Sequence, residues 1–101
     1  MNDALHFLQS WYEAQCDEDW EHEFGVRIET LDNPGWTIEI DLIGTTIEGR
    51  ELRKSKHESQ DGRWIWSWSD GEKYHSSCDP FSLESAILRF KEFTERGTQD
   101  A

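Results

Sequence analysis

The chain has 101 residues, 32% of them charged and 35% hydrophobic, with a formal net charge of −12. That length allows one domain, residues 1–101, with one modest core. So strong a negative charge opposes direct binding of DNA or RNA phosphates, and no stretch is apolar for the ~20 residues that a membrane-spanning helix needs.

Six tryptophans and five phenylalanines supply the large side chains of an ordered core despite the high charge. Cys16 and Cys78 sit far apart in no metal-binding spacing. The N-terminal stretch lacks the basic start and continuous apolar run of a signal peptide. The expectation is a cytoplasmic protein with two reduced thiols.

In chain order, Leu5, Leu8, Trp11, Tyr12 and Ala14 to Cys16 recur near a 3.6 period, which predicts a helix over 3–16 with Asp3 as its N-cap. Val26 to Leu31 alternates as a strand. Asn33-Pro34-Gly35-Trp36 places Pro and Gly at the centre of a type II turn. In the next strand Trp36, Ile38, Ile40 and Leu42 point one way, and Thr37, Glu39 and Asp41 the other. Gly44 and Gly49 bracket a loop. Residues 50–58 form a polar strand, basic in Arg50, Arg53, Lys54 and Lys56. Asp61-Gly62 and Asp70-Gly71 are two-residue hairpin signals, flanking a strand that carries Trp64, Trp66 and Trp68 on one face. Lys73 to Ser77 follows. Ser82 then caps a helix in which Leu83, Ala86, Ile87, Phe90 and Phe93 line one side. Gly97 ends it, with Arg96 well placed in the last turn. The fold expected is α+β: an antiparallel sheet of about five strands, with the N-terminal and C-terminal helices packed on one face.

Charge is unevenly spread. Residues 1–48 hold twelve acids and one base, Arg27, whereas residues 49–64 hold five bases and three acids. Six carboxylates fall between Glu13 and Glu23 with no Lys or Arg among them.

Trp11-Tyr12, Cys16-Asp17, Asp19-Trp20-Glu21-His22 and the run from Glu29 to Trp36 together resemble a known family, immunity protein 53 of bacterial polymorphic toxin systems. Asp41-Leu42, Gly44-Thr45 and the helix from Leu83 to Phe90 fit it too. The similarity spans about Leu8 to Phe93. It implies a protein that binds and neutralises a cognate toxin, and it supplies no functional residues to carry over.

Three surfaces are candidates. The acidic run, with Asp17, Glu18, Asp19, Glu21 and Glu23 around Trp20 as an aromatic anchor, would dock on a basic toxin. Its bland alternative is a solvated loop that aids solubility. Glu29, Glu39 and Asp41 would form a negative patch on the open side of the sheet. Against this, cross-strand pairing with Arg27 or with Arg50, Arg53 and Lys54 would neutralise it. Two-residue turns would set His57 and His75 opposite Trp66, and Ser55 and Lys73 opposite Trp68. The tryptophan ladder is then either a platform for a carbohydrate or other ligand, or core packed beneath the helices; the core placement is favoured because small sheets need large side chains there.

No His pair has metal-ligand spacing on a helix, Glu21-His22-Glu23 points its neighbours apart, and no phosphate loop or nucleophile motif occurs. No metal, no cofactor and no catalysis are expected. The charge points to a basic toxin, with a nuclease the favoured class.

Overall fold

Two amphipathic helices and a set of alternating strands can bury their apolar sides only against one another. The computed structural model describes residues 3–95. Its elements are α1 (Ala4–Gln15), α2 (Trp20–Glu23), β1 (Val26–Leu31), β2 (Gly35–Asp41), β3 (Glu51–Glu58), β4 (Trp64–Asp70), β5 (Lys73–Cys78) and α3 (Leu83–Glu95). The strands form one antiparallel sheet in the order β1-β2-β5-β4-β3. Helices α1 and α3 pack together, and α3 lies on the central strand β5. Among the described residues, no helix is long and apolar enough to cross a membrane.

The core follows the two periods. Ile38 and Ile40 of β2, Leu42 just after it, Tyr74 and Cys78 of β5, and Ala86, Ile87, Phe90 and Phe93 of α3 are all buried. Tyr74 is the hub: its ring centroid lies 5.0 Å from that of Phe90 and 4.9 Å from that of Phe93. Both cysteines are free thiols, and burial pushes the Cys78 thiol up to about 11, too high for a reactive thiolate at neutral pH.

Several local expectations are corrected. Gly35 does not take the left-handed backbone of a type II turn; it opens β2, paired with Leu31, and the turn runs over Asp32 to Pro34. A glycine is required there because a Cβ would strike the carbonyl oxygen of Cys78 in β5. Asp3 occupies the N-cap position of α1 without a side-chain hydrogen bond. The Ser82 hydroxyl donates to Asp79 Oδ2 at 2.6 Å, and that same Asp79 accepts the amides of Trp64 and Phe81. The stop at Gly97 and the cation at Arg96 lie outside the described residues. Arg50 supplies a C-terminal contact to α3 instead, donating to the carbonyls of Phe93 and Thr94 at 3.0 and 3.1 Å.

The registers differ from those of the simple turns. Between β4 and β5 the loop is Gly71-Glu72, with φ of +92° at Gly71 alone, the pattern of a type II′ turn. This slides the pairing by two residues, so His75 faces Trp68 and not Trp66. Between β3 and β4 the Ser59 amide donates to the Arg63 carbonyl across a three-residue loop, with Gly62 at φ +88°. That odd-length loop shifts the register by one residue and exchanges the faces of β3. Lys56 therefore pairs with Trp66, and His57 with Ile65.

The tryptophan ladder is corrected with it. Ile65, Ser67 and Ser69 are the buried residues of β4, while Trp64, Trp66 and Trp68 stand half-buried on the face away from the helices.

Candidate functional site

The acidic segment folds on its own carboxylates. After α1, Asp17 Oδ1 accepts the amides of Asp19 and Trp20 at 3.0 and 2.9 Å. Glu21 returns the arrangement, Oε1 accepting the Asp17 amide and Oε2 the Glu18 amide, both at 2.9 Å. The amides of Trp20 and Asp19 hold the Asp17 carboxyl below its usual range. Those of Glu21, Asp17 and Glu18 do the same for Glu21. Both groups thus shape the loop and α2, in the manner of a reciprocal cap.

The remaining acids are unneutralised. Glu13, Glu18, Asp19 and Glu23 are exposed, and none is in an ion pair among the described residues. Glu18 has φ +80°, the one non-glycine residue with positive φ among those described. An L-residue held in that region is a strained feature of a kind that clusters at functional loops.

Trp20 is placed differently from the expectation of an exposed anchor. It is 5% exposed, and its indole N–H donates to the Ile43 carbonyl at 2.8 Å. Its ring meets Trp11 edge-on at 6.2 Å and packs on Gly44, where a Cβ would sit 3.1 Å from the indole. The reason is local chemistry: an indole beside a tight loop reaches a free carbonyl and a glycine surface, so burial wins over the charged flanks. The aromatic that this edge presents is Tyr12, 39% exposed and 6.1 Å from Trp20.

The strand patch is wired into the sheet. Arg27 and Glu39 are register partners, and the guanidinium reaches the carboxylate at 2.7 Å. Lys73 and His75 also approach Glu39, at 3.9 and 3.7 Å. The Arg27 hydrogen bond is the largest of the effects that hold the Glu39 carboxyl low. Asp41 is no surface group: it is 4% exposed, and Oδ2 accepts the Gly25 amide at 2.9 Å. Glu29 is exposed opposite Thr37. Of the expected cross-strand bases, Arg27 makes the pairing; Arg50, Arg53 and Lys54 lie at the far edge of the sheet, in or just before β3, where Arg50 is bound to α3.

These residues form part of a row across the open face. Register sets Arg27, Glu39, His75 and Trp68 side by side on β1, β2, β5 and β4. His75 stacks on Trp68 at 5.1 Å. From β3, the Lys54 ammonium lies 4.6 Å above Trp68 and 5.0 Å above Trp66, and that of Lys56 lies 5.1 Å above Trp66. The face grades from acidic pairs to a cation-covered aromatic strip. Sequence reading missed this strip because the pairing depends on the odd loop Gln60 to Gly62; the glycine was legible, but the loop length was not.

Among the described residues, no three of His, Cys, Asp and Glu are arranged to hold a metal ion. The residues of the resemblance hold the fold: Trp11 and Trp20 pack together, Asp17 and Glu21 shape the loop, Asp41 ties Gly25, and the Trp36 indole donates to the Pro80 carbonyl at 3.0 Å. The chain matches the family model described as immunity protein 53 over residues 5–95. No curated protein and no solved structure matches it. With nine-tenths of its length under that one model, the chain belongs to the immunity protein 53 family.

Proposed function

We propose that this protein binds and neutralises a cognate polymorphic toxin in the cytoplasm, without catalysis of its own, using the acidic loop as its principal contact. Family membership supports the immunity role. The observation that favours the loop is its charge: Glu13, Glu18, Asp19 and Glu23 have no cationic partner among the described residues, whereas Glu39 already has Arg27. An uncompensated acidic surface on a rigid frame steers and orients a basic partner. Tyr12 supplies the adjacent aromatic. A basic toxin is the expected target and a nuclease the favoured class, since its substrate channel carries the charge this loop complements.

The test replaces Glu18, Asp19 and Glu23 with Lys and leaves Asp17 and Glu21, which hold the loop. Stopped-flow association with the cognate toxin should slow by about tenfold or more at low salt, and the salt dependence should flatten. An unchanged rate removes the loop as the contact.

The tryptophan strip favours a second reading, a small binding module for a carbohydrate or another ligand. Trp64, Trp66 and Trp68 are half-buried, and no helix among the described residues covers them. A sugar would have to displace the lysines that already lie on two of the rings, so this reading ranks below the first. Tryptophan fluorescence that shifts with oligosaccharides and not with the toxin would reverse that order.

A further inference from the structure

Helix α3 crosses β5 and leaves the helix-side surface of β3 and β4 to form a cleft of about 310 Å³ at the sheet's far edge. Its floor is polar. Ser67 is 4% exposed and Tyr74 1% exposed, both line the cleft, and neither hydroxyl has a hydrogen-bond partner among the described residues. Burial pushes the Tyr74 phenol up, and the nearby Ser67 hydroxyl offsets part of that effect. A buried hydroxyl without a partner costs stability, so two on one floor indicate that something else serves them.

The rim narrows the chemistry. Arg89 lines the cleft and forms no ion pair among the described residues; its charge acts on the Tyr74 phenol. A guanidinium with two hydroxyl donors beneath it suits a flat anion with two acceptor oxygens. Glu92, one turn further along α3, also lines the cleft. Arg89 is the one arginine or lysine among the lining residues, so a second negative charge on a ligand, as in a phosphate monoester, would face Glu92 without a cation of its own. Leu52 and Phe93 give the remaining walls an apolar character. On the β3 side, His57 is engaged with the Ser55 hydroxyl at 3.2 Å. The volume is at the small end of ligand pockets.

We propose that this cleft binds a small organic monocarboxylate, its carboxylate held by Arg89 and by the hydroxyls of Tyr74 and Ser67, its apolar body against Leu52 and Phe93. The site lies at the β3 edge, whereas the acidic loop leads into β1 at the opposite edge. It is therefore independent of the toxin contact.

The probe is benzoate, titrated into the full-length protein and followed by amide chemical shifts, with benzyl alcohol and phenyl phosphate alongside. Saturable shifts at Ser67, Tyr74 and Arg89 with a Kd of about 1 mM, ordinary for so small a probe, support the site. Arg89→Gln should weaken binding by at least about tenfold, the scale of one lost charged hydrogen bond. Tyr74→Phe keeps the buried ring and removes a hydroxyl that has no hydrogen-bond partner among the described residues, so it keeps the fold, and should weaken benzoate by about threefold or more. Unchanged affinity in either variant overturns the proposal. So does the absence of a saturable response by about 20 mM, which leaves the hydroxyls to water, or equal binding of benzyl alcohol. Tighter binding of phenyl phosphate overturns the monocarboxylate assignment.

Discussion

The acidic loop and the acidic strand patch carry similar side chains and are built in opposite ways. In the loop, the two carboxylates that do structural work, Asp17 and Glu21, bond backbone amides and not cations. Amide hydrogen bonds fix geometry without cancelling charge, so the loop remains a concentrated anion. In the strand patch, register places Arg27 directly beside Glu39, and the charge of Glu39 is spent within the sheet. A count of acids therefore overstates one surface and describes the other correctly. What distinguishes them is which donor satisfies each carboxylate.

The largest expected effect breaks the loop's support. Trp20 fills a buried site between α1 and the Gly44 loop, and Trp20→Ala removes both its packing and its bond to Ile43. Large aromatic deletions from cores cost about 3 kcal/mol or more. Urea unfolding should show a loss of that size, together with weaker toxin binding as the loop loses its frame. A solvent-anchoring Trp20 would instead lower toxin affinity at nearly constant stability.

The next effect tests whether Asp41 belongs with Glu39 as surface or with the loop as scaffold. Its carboxylate is buried on the Gly25 amide, so Asp41→Ala strands that donor and should cost about 2 kcal/mol in the same unfolding experiment. A neutral substitution would return Asp41 to the open patch.

Much of this organisation was legible in the chain. Alternation marked β1 and β2 and the outward side of Glu39, and the 3.6-residue period marked Ala86, Ile87, Phe90 and Phe93 as the buried face of α3. What local pattern does not contain is the partner across a turn. The period of β4 says that Trp64, Trp66 and Trp68 share a face but not which one, and only the turn to β3 decides whether its lysines or Ser55 and His57 meet them. One residue of loop length, at Gln60 to Gly62, moved the lysines onto the indoles and left Ser55 and His57 on the side of the cleft. Trp20 was obscured for a related reason. Its neighbours in sequence are acids, but its neighbours in space are Trp11, Gly44 and the Ile43 carbonyl, which lie on other segments.

The smallest expected effect probes the neutralised side of the comparison through pH. The Arg27 hydrogen bond, aided by Lys73, depresses the Glu39 carboxyl in the folded state relative to its ordinary value of 4.5. A carboxyl depressed by folding contributes stability that is present above its unfolded value and lost as pH falls through its folded one. Protonation thus costs the wild-type protein this contribution below about pH 4.5. In Arg27→Gln the depression shrinks, so the stability difference between the two proteins should be constant above that pH and close up below it. Because Arg27 is 47% exposed on its side chain, solvent screening limits the difference at neutral pH to under about 1 kcal/mol. Urea midpoints of both proteins from pH 7 down to 3 would check this. A gap that persists at pH 3 would mean that Arg27 acts through packing over the sheet and not through Glu39. A gap that closes would establish that Glu39 is neutralised within the sheet, which is what sets it apart from the uncompensated carboxylates of the loop.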